Sequence, residues 1–139
     1  MQKRFLLVSL SIIYILLCGC SSSDKYYSFV DDYYEVFCSV ARNIDIENTY
    51  KSIELLQSEE NKEYIDRMKE LLGGVSGNVP NSKKDHYSEM MMLYDGIIFL
   101  KSTYEKWDEL TLEEQSKINI EMMTVHRYYQ GYKNNTLVH

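Results

Sequence analysis

Residues 90–114 read MMMLYDGIIFLKSTYEKWDELTLEE, and this stretch decides the fold. Met90, Leu93, Ile97, Leu100, Tyr104 and Trp107 recur at spacings of three and four, which places them on one face of a helix. Thr111 followed three residues later by Glu114 forms a capping box, in which a hydroxyl and a carboxylate satisfy free backbone donors at a helix start. A second stripe then runs through Ile118, Met122, Val125, Tyr129 and Tyr132. A connection this short at Leu110 and Thr111 forces the two helices into an antiparallel pair. A tight turn near residue 110 sets His126 level with Asp95, within about one turn, and predicts a polar contact of His126 with Asp95 or a nearby Tyr. Gly96 weakens an otherwise good helix, which implies close approach by a neighbour.

Working outward, residues 25–43 carry Tyr26, Val30, Tyr33, Phe37 and Val40 on one face, with Ile44 just beyond. Asp31, Glu35, Ser39 and Arg42 take the polar side, so the carboxylates Asp31, Asp32 and Glu35 read as a solvated face. Residues 47–72 start a stripe at Tyr50, Ile53 and Leu56 and resume it at Tyr64, Met68 and Leu71. Residues 57–63 between them are wholly polar, so either one helix has an exposed middle or Ser58 caps a second piece. Gly73 and Gly74 are expected to end that segment, and residues 73–81, with Pro80, form the clear loop. Ser82 or Asp85 is the expected cap of the helix that runs on to about residue 109. Amphipathic segments of this number bury their stripes only against one another. The expected fold is therefore all-α, a small antiparallel bundle of about four helices spanning residues 26–139.

The first 25 residues follow a different grammar. Lys3 and Arg4 precede an apolar run from residue 5 to 17, about 20 Å long as a helix. A bilayer core needs about 30 Å, so the run reads as a secretory leader rather than a span. It ends in Leu17-Cys18-Gly19-Cys20 and a polar Ser21-Ser22-Ser23-Asp24-Lys25. Leu17, Gly19 and Cys20 resemble the lipobox of bacterial lipoproteins; Cys18 departs from it, standing where Ala, Ser or Thr is usual. The resemblance implies that residues 1–19 are a signal peptide and that Cys20 carries two or three acyl chains. Each buried methylene contributes about 0.8 kcal/mol, so two chains hold firmly. Residues 20–25 are expected to form the lipidated cysteine and a tether under about 20 Å long. The domain then faces outside the cytoplasm, on the cell membrane or the outer membrane.

Losing Lys3 and Arg4 with the leader takes the charge from 15 basic against 21 acidic residues to 13 against 21, a net of −8. That balance argues against nucleic acid as a partner and leaves membrane attachment to the lipid. Of three cysteines only Cys38 remains uncommitted, and its apolar neighbours Val36, Phe37 and Val40 predict burial.

No Gly-x-Ser-x-Gly and no neighbouring Cys and His appear, and no enzymatic reaction is read from the sequence. His86 with Glu89 and Met90, and His126 with Met122 and Met123, have spacings that suit copper. The hairpin geometry keeps them about 13 Å apart, so no metal site and no cofactor are assigned. Twelve tyrosines follow Cys20, several in adjacent pairs that cannot all face inward. Tyr27 and Tyr34 fall on one side, and Tyr128 and Tyr132 share another; all four are candidate interface residues. The function read from this is a membrane-anchored protein-interaction module with an envelope or secreted protein partner, in an inhibitor, immunity, exclusion or assembly role. The alternatives are a metal- or small-ligand-binding bundle and a structural envelope component.

The lipobox reading makes one sharp prediction. A Cys20→Ser chain accumulates as unprocessed precursor and takes up no radiolabelled fatty acid, whereas labelling that persists in this variant removes Cys20 as the acceptor.

Overall fold

The structure, a computed structural model, describes residues 21–136. It is all-α. Helices α1 (Ser21–Ala41), α2 (Thr49–Leu55), α3 (Glu59–Val75), α4 (Lys84–Ser102) and α5 (Leu112–Lys133) are joined by 3₁₀ turns at Asn81–Lys83 and Tyr104–Glu109. Four long helices make the bundle, and α2 is a single short piece across one end. Among the described residues no helix is long and apolar enough to cross a membrane. The leader and Cys20 lie outside the described residues. The expected tether is corrected in part, because α1 is already helical at Ser21.

Helix α1 is the spine. Tyr26, Phe29, Val30, Tyr33, Tyr34, Phe37, Val40 and Ala41 are all buried, a face wider than the expected stripe. Such a face needs neighbours on three sides: α3 and α5 pack along it, and α4 meets it through the tyrosine hydroxyls. The Tyr26 hydroxyl donates to the Lys83 carbonyl at 3.3 Å, and the Tyr33 hydroxyl donates to the Met90 carbonyl at 2.6 Å. Each pair is separated by the same 57 residues, so α1 and α4 run parallel. Helix α3 returns antiparallel to both. Its start meets the end of α1 through Arg42 and Glu60, 3.0 Å apart, and its end meets α4 where Tyr87 donates to the Leu72 carbonyl at 3.0 Å.

The polar gap at residues 57–63 is resolved in favour of two helices. The Ser58 hydroxyl accepts from the Asn61 backbone N–H, capping α3. Asn61 is 3% exposed, and its side chain closes the corner. Its Nδ2 donates to the Leu55 carbonyl at 2.8 Å and to Ser58 Oγ at 3.1 Å, while its Oδ1 accepts from Asn43 Nδ2 at 3.2 Å. The ends of α1 and α2 and the start of α3 are thereby tied through one amide.

Three local expectations change. Gly73 and Gly74 do not end α3, which continues to Val75; neither takes a positive φ, so no left-handed stop forms there. Neither Ser82 nor Asp85 caps α4, whose start has no side-chain cap and follows directly on a 3₁₀ turn. The stripe from residue 90 to 107 is not one helix. Ser102 Oγ donates to the Phe99 carbonyl and Thr103 Oγ1 to the Leu100 carbonyl, both at 2.7 Å. These local bonds compete with the helical ladder and end α4, leaving Lys106 at non-helical φ −112 and ψ 19. The capping box forms as expected, with Thr111 Oγ1 accepting from Glu114 N and Glu114 Oε2 accepting from Thr111 N.

Asn61→Ala leaves the Leu55 carbonyl with only the Ser58 N–H and the Asn43 amide with only the Ser39 carbonyl. A loss of about 1–3 kcal/mol in urea denaturation is expected from the lost hydrogen bonds at this buried corner, each worth about 0.5–1.5 kcal/mol. Wild-type stability in this variant would show that the corner holds without the amide.

Candidate functional site

The connectivity gives the bundle two unlike poles. The near pole gathers the start of α1 at Ser21, the 76–83 loop, the start of α4 and the end of α5 at Lys133. The far pole gathers the 42–58 corner with α2 and the 3₁₀ stretch Tyr104–Glu109. Each pole carries an aromatic cluster.

At the near pole, three of the four candidate interface tyrosines come together, but not as a surface. Tyr34 is 1% exposed, so it is not an interface residue. Its ring stacks on Tyr132, centroids 5.0 Å apart and planes 11° apart, and on its other side lies parallel to the His86 imidazole at 6.0 Å. The Tyr34 hydroxyl lies 3.4 Å from His86 Nε2. Burial, with Glu89 and Tyr128 adding to it, holds the Tyr34 phenol protonated well above its ordinary range. Tyr132 is half-buried beneath this stack, and its phenol is also raised, first by burial and then by Cys38 and by Asp31 and Glu35. Tyr128, half-buried, edges a groove of about 500 Å³ with Glu89, Arg127 and Asn134. Tyr27 stands apart and 50% exposed, with Lys83 Nζ 5.3 Å over its ring. Seven residues separate Tyr27 from Tyr34, but α5 covers only the latter.

Cys38 is half-buried against the core rather than enclosed, and burial pushes its thiol up to about 11. At neutral pH it is a protonated packing group. Among the described residues no three His, Cys, Asp or Glu side chains converge in a way that holds a metal ion.

The expected His126–Asp95 contact does not form: no hydrogen bond or ion pair joins them, and His126 Nδ1 is buried without a partner among the described residues. The register explains why. Glu121 faces Gly96, where an added Cβ would sit 2.8 Å from Glu121 Oε2, and Lys117 Nζ sits 4.4 Å over the Phe99 ring. The hairpin is shifted by about one turn, because α4 ends at Ser102 and residues 104–109 leave its axis to pack on Tyr50 instead of lengthening the hairpin arm. Asp95 instead lines a groove with Met91, Met92, Phe99, Lys117 and Glu121.

The far-pole cluster was not singled out from the sequence. Trp107 is not in the core. It is half-buried on the 3₁₀ stretch and packs edge-on against Tyr50, centroids 5.3 Å apart at 62°. Tyr104 stacks on Tyr50 at 6.0 Å and 27°. Tyr50 itself is 42% exposed. With Glu105, Lys106, Asp108 and Glu109, these rings line a groove of about 520 Å³. The visible signal was the pair Ser102-Thr103, which breaks the stripe and turns Trp107 outward. Comparison with known proteins finds no matching family model, no matching curated protein and no matching solved structure.

The two tyrosines of α1 that looked alike are separable by mutation. Tyr34→Ala removes a fully buried ring and costs about 3–5 kcal/mol, whereas Tyr27→Ala stays within about 0.5 kcal/mol of wild type in the same denaturation assay. Equal effects would contradict the division of α1 into covered and open sides.

Proposed function

We propose that the chain is a lipid-tethered interaction module of a bacterial envelope, holding one pole of its bundle to the membrane and offering the other to a protein partner. The observation that carries this reading is the polarity of the bundle. Helix α1 begins at Ser21, directly after the candidate lipid-bearing Cys20, so an anchor there leaves little slack. The near pole is the more basic one, with Lys25, Lys83, Lys84 and Lys133 against Asp24 and Asp85. Residues 104–114 at the far pole hold Glu105, Asp108, Glu109, Glu113 and Glu114 against Lys106 alone. Anionic headgroups favour the first pole and repel the second. The 21 residues of α1 extend about 30 Å, which sets the far pole that distance from the anchor. Aromatic rings left half-open at that end suit protein contact. The protein acts by binding rather than by catalysis.

Orientation tests this reading. In a Cys38→Ser background, a fluorophore on Lys84→Cys is quenched by a lipid-phase quencher in native membranes, and one on Glu109→Cys is not. Crosslinking in those membranes yields a discrete adduct with a second protein. Equal quenching at both positions, or a chain that crosslinks only to itself, overturns the proposal.

A further inference from the structure

We infer that the far pole is a docking surface for a basic segment of a partner protein, with an arginine or lysine side chain lying against the rings of Tyr50 and Trp107 inside a rim of carboxylates. The inference rests on the reading of the chain as an interaction module and names the chemistry of its partner.

Three features of the groove select that occupant. The first is the aromatic wall. Tyr50 contacts both Tyr104 and Trp107, so its ring is positioned in advance while the residue stays 42% exposed to solvent. A cation within about 6 Å of such a ring face is attracted by its quadrupole, most strongly at tryptophan. The second is the rim. Glu105, Asp108 and Glu109 line the same groove and form no ion pair among the described residues. The third is the removal of the local cation. Lys106 Nζ is drawn to Glu114 Oε1 at 2.9 Å, and that carboxyl is held down to about 2 by Lys106 and by the Thr111 cap. The one base of the stretch is thus committed to the start of α5, and the rim keeps its negative charge.

An anionic partner would be repelled here, and an apolar one would leave the carboxylates unanswered. By contrast, the groove of Met91, Met92 and Phe99 carries Asp95 and Glu121 beside Lys117, and so selects no sign of charge.

Trp107 is the chain's single tryptophan, so its emission reports on this groove alone. The purified full-length chain is titrated with an oligoarginine peptide, an oligoglutamate peptide and free argininamide. Saturable quenching of Trp107 by oligoarginine, weakening as salt rises, is expected. Neutralising the rim with Glu105→Gln, Asp108→Asn and Glu109→Gln together weakens that binding at least about tenfold. Asp31→Asn, Asp32→Asn and Glu35→Gln on the exposed side of α1 are the control and leave it within about twofold. Equal loss in both triple variants reduces the effect to net charge and overturns the inference, as does quenching by oligoglutamate. Argininamide as tight as the peptide overturns the assignment to a protein segment. In cells, a photo-crosslinking residue at position 50 gives the partner adduct. An adduct from position 27 or 120 but not from 50 retains the module and overturns this surface, and no adduct from any of them overturns both.

Discussion

The architecture depends on buried tyrosine hydroxyls that must be answered. Helix α1 places Tyr26, Tyr33 and Tyr34 inside the bundle, and a phenol removed from water without a partner costs several times the net value of a made hydrogen bond. All three hydroxyls find their partners on or just before the first two turns of α4, at the Lys83 carbonyl, the Met90 carbonyl and His86 Nε2. Apolar stripes alone would let α1 slide along α4 by a turn with little change in buried area. Three polar contacts that must be met together do not. They fix the parallel register of α1 and α4, and α3 and α5 then fill the two remaining sides antiparallel to that pair.

Where interactions are local, the residues announced the structure in advance. The Thr111 to Glu114 capping box and the Ser58 alternative both depend on groups within four positions of one another, and each is present as read. Gly96 implied a close neighbour, and Glu121 is that neighbour. Two of the misreadings have the opposite property. Whether Tyr34 is an open or a covered residue depends on how many helices surround α1, a number that no spacing within α1 encodes. A glycine pair reads as a stop only if the chain needs to turn there, and α3 continues past the pair to Val75, which packs against the core before the loop.

The candidate site was hidden for a related reason. A period of three and four continues smoothly from Met90 through Trp107, so hydrophobic pattern counted Trp107 as core. The break comes from side chains of the wrong class for that pattern. Ser102 and Thr103 turn their hydroxyls back onto carbonyls three residues earlier, and a tighter 3₁₀ path follows. The same break takes residues 104–109 off the α4 axis, which moves the α4–α5 hairpin by about one turn and separates His126 from Asp95. One local competition for backbone acceptors therefore both displaced an expected polar pair and moved an expected core tryptophan to the half-buried edge of the core.

That competition also links fold to function. Had α4 continued to residue 109, Trp107 would extend the stripe inward and the far pole would be closed by an ordinary helix end. Instead the 3₁₀ stretch lays Tyr104 and Trp107 against Tyr50 from α2, and leaves Glu105, Asp108 and Glu109 lining the same groove. The capping box completes the arrangement, because Glu114 must bind both the Thr111 backbone and Lys106. The residue that starts α5 thus also removes the only positive charge from the stretch beside the rings. Cap, kink and groove follow from a dozen consecutive residues, and this concentration at the end of the bundle farthest from Ser21 is why binding chemistry is assigned to that pole.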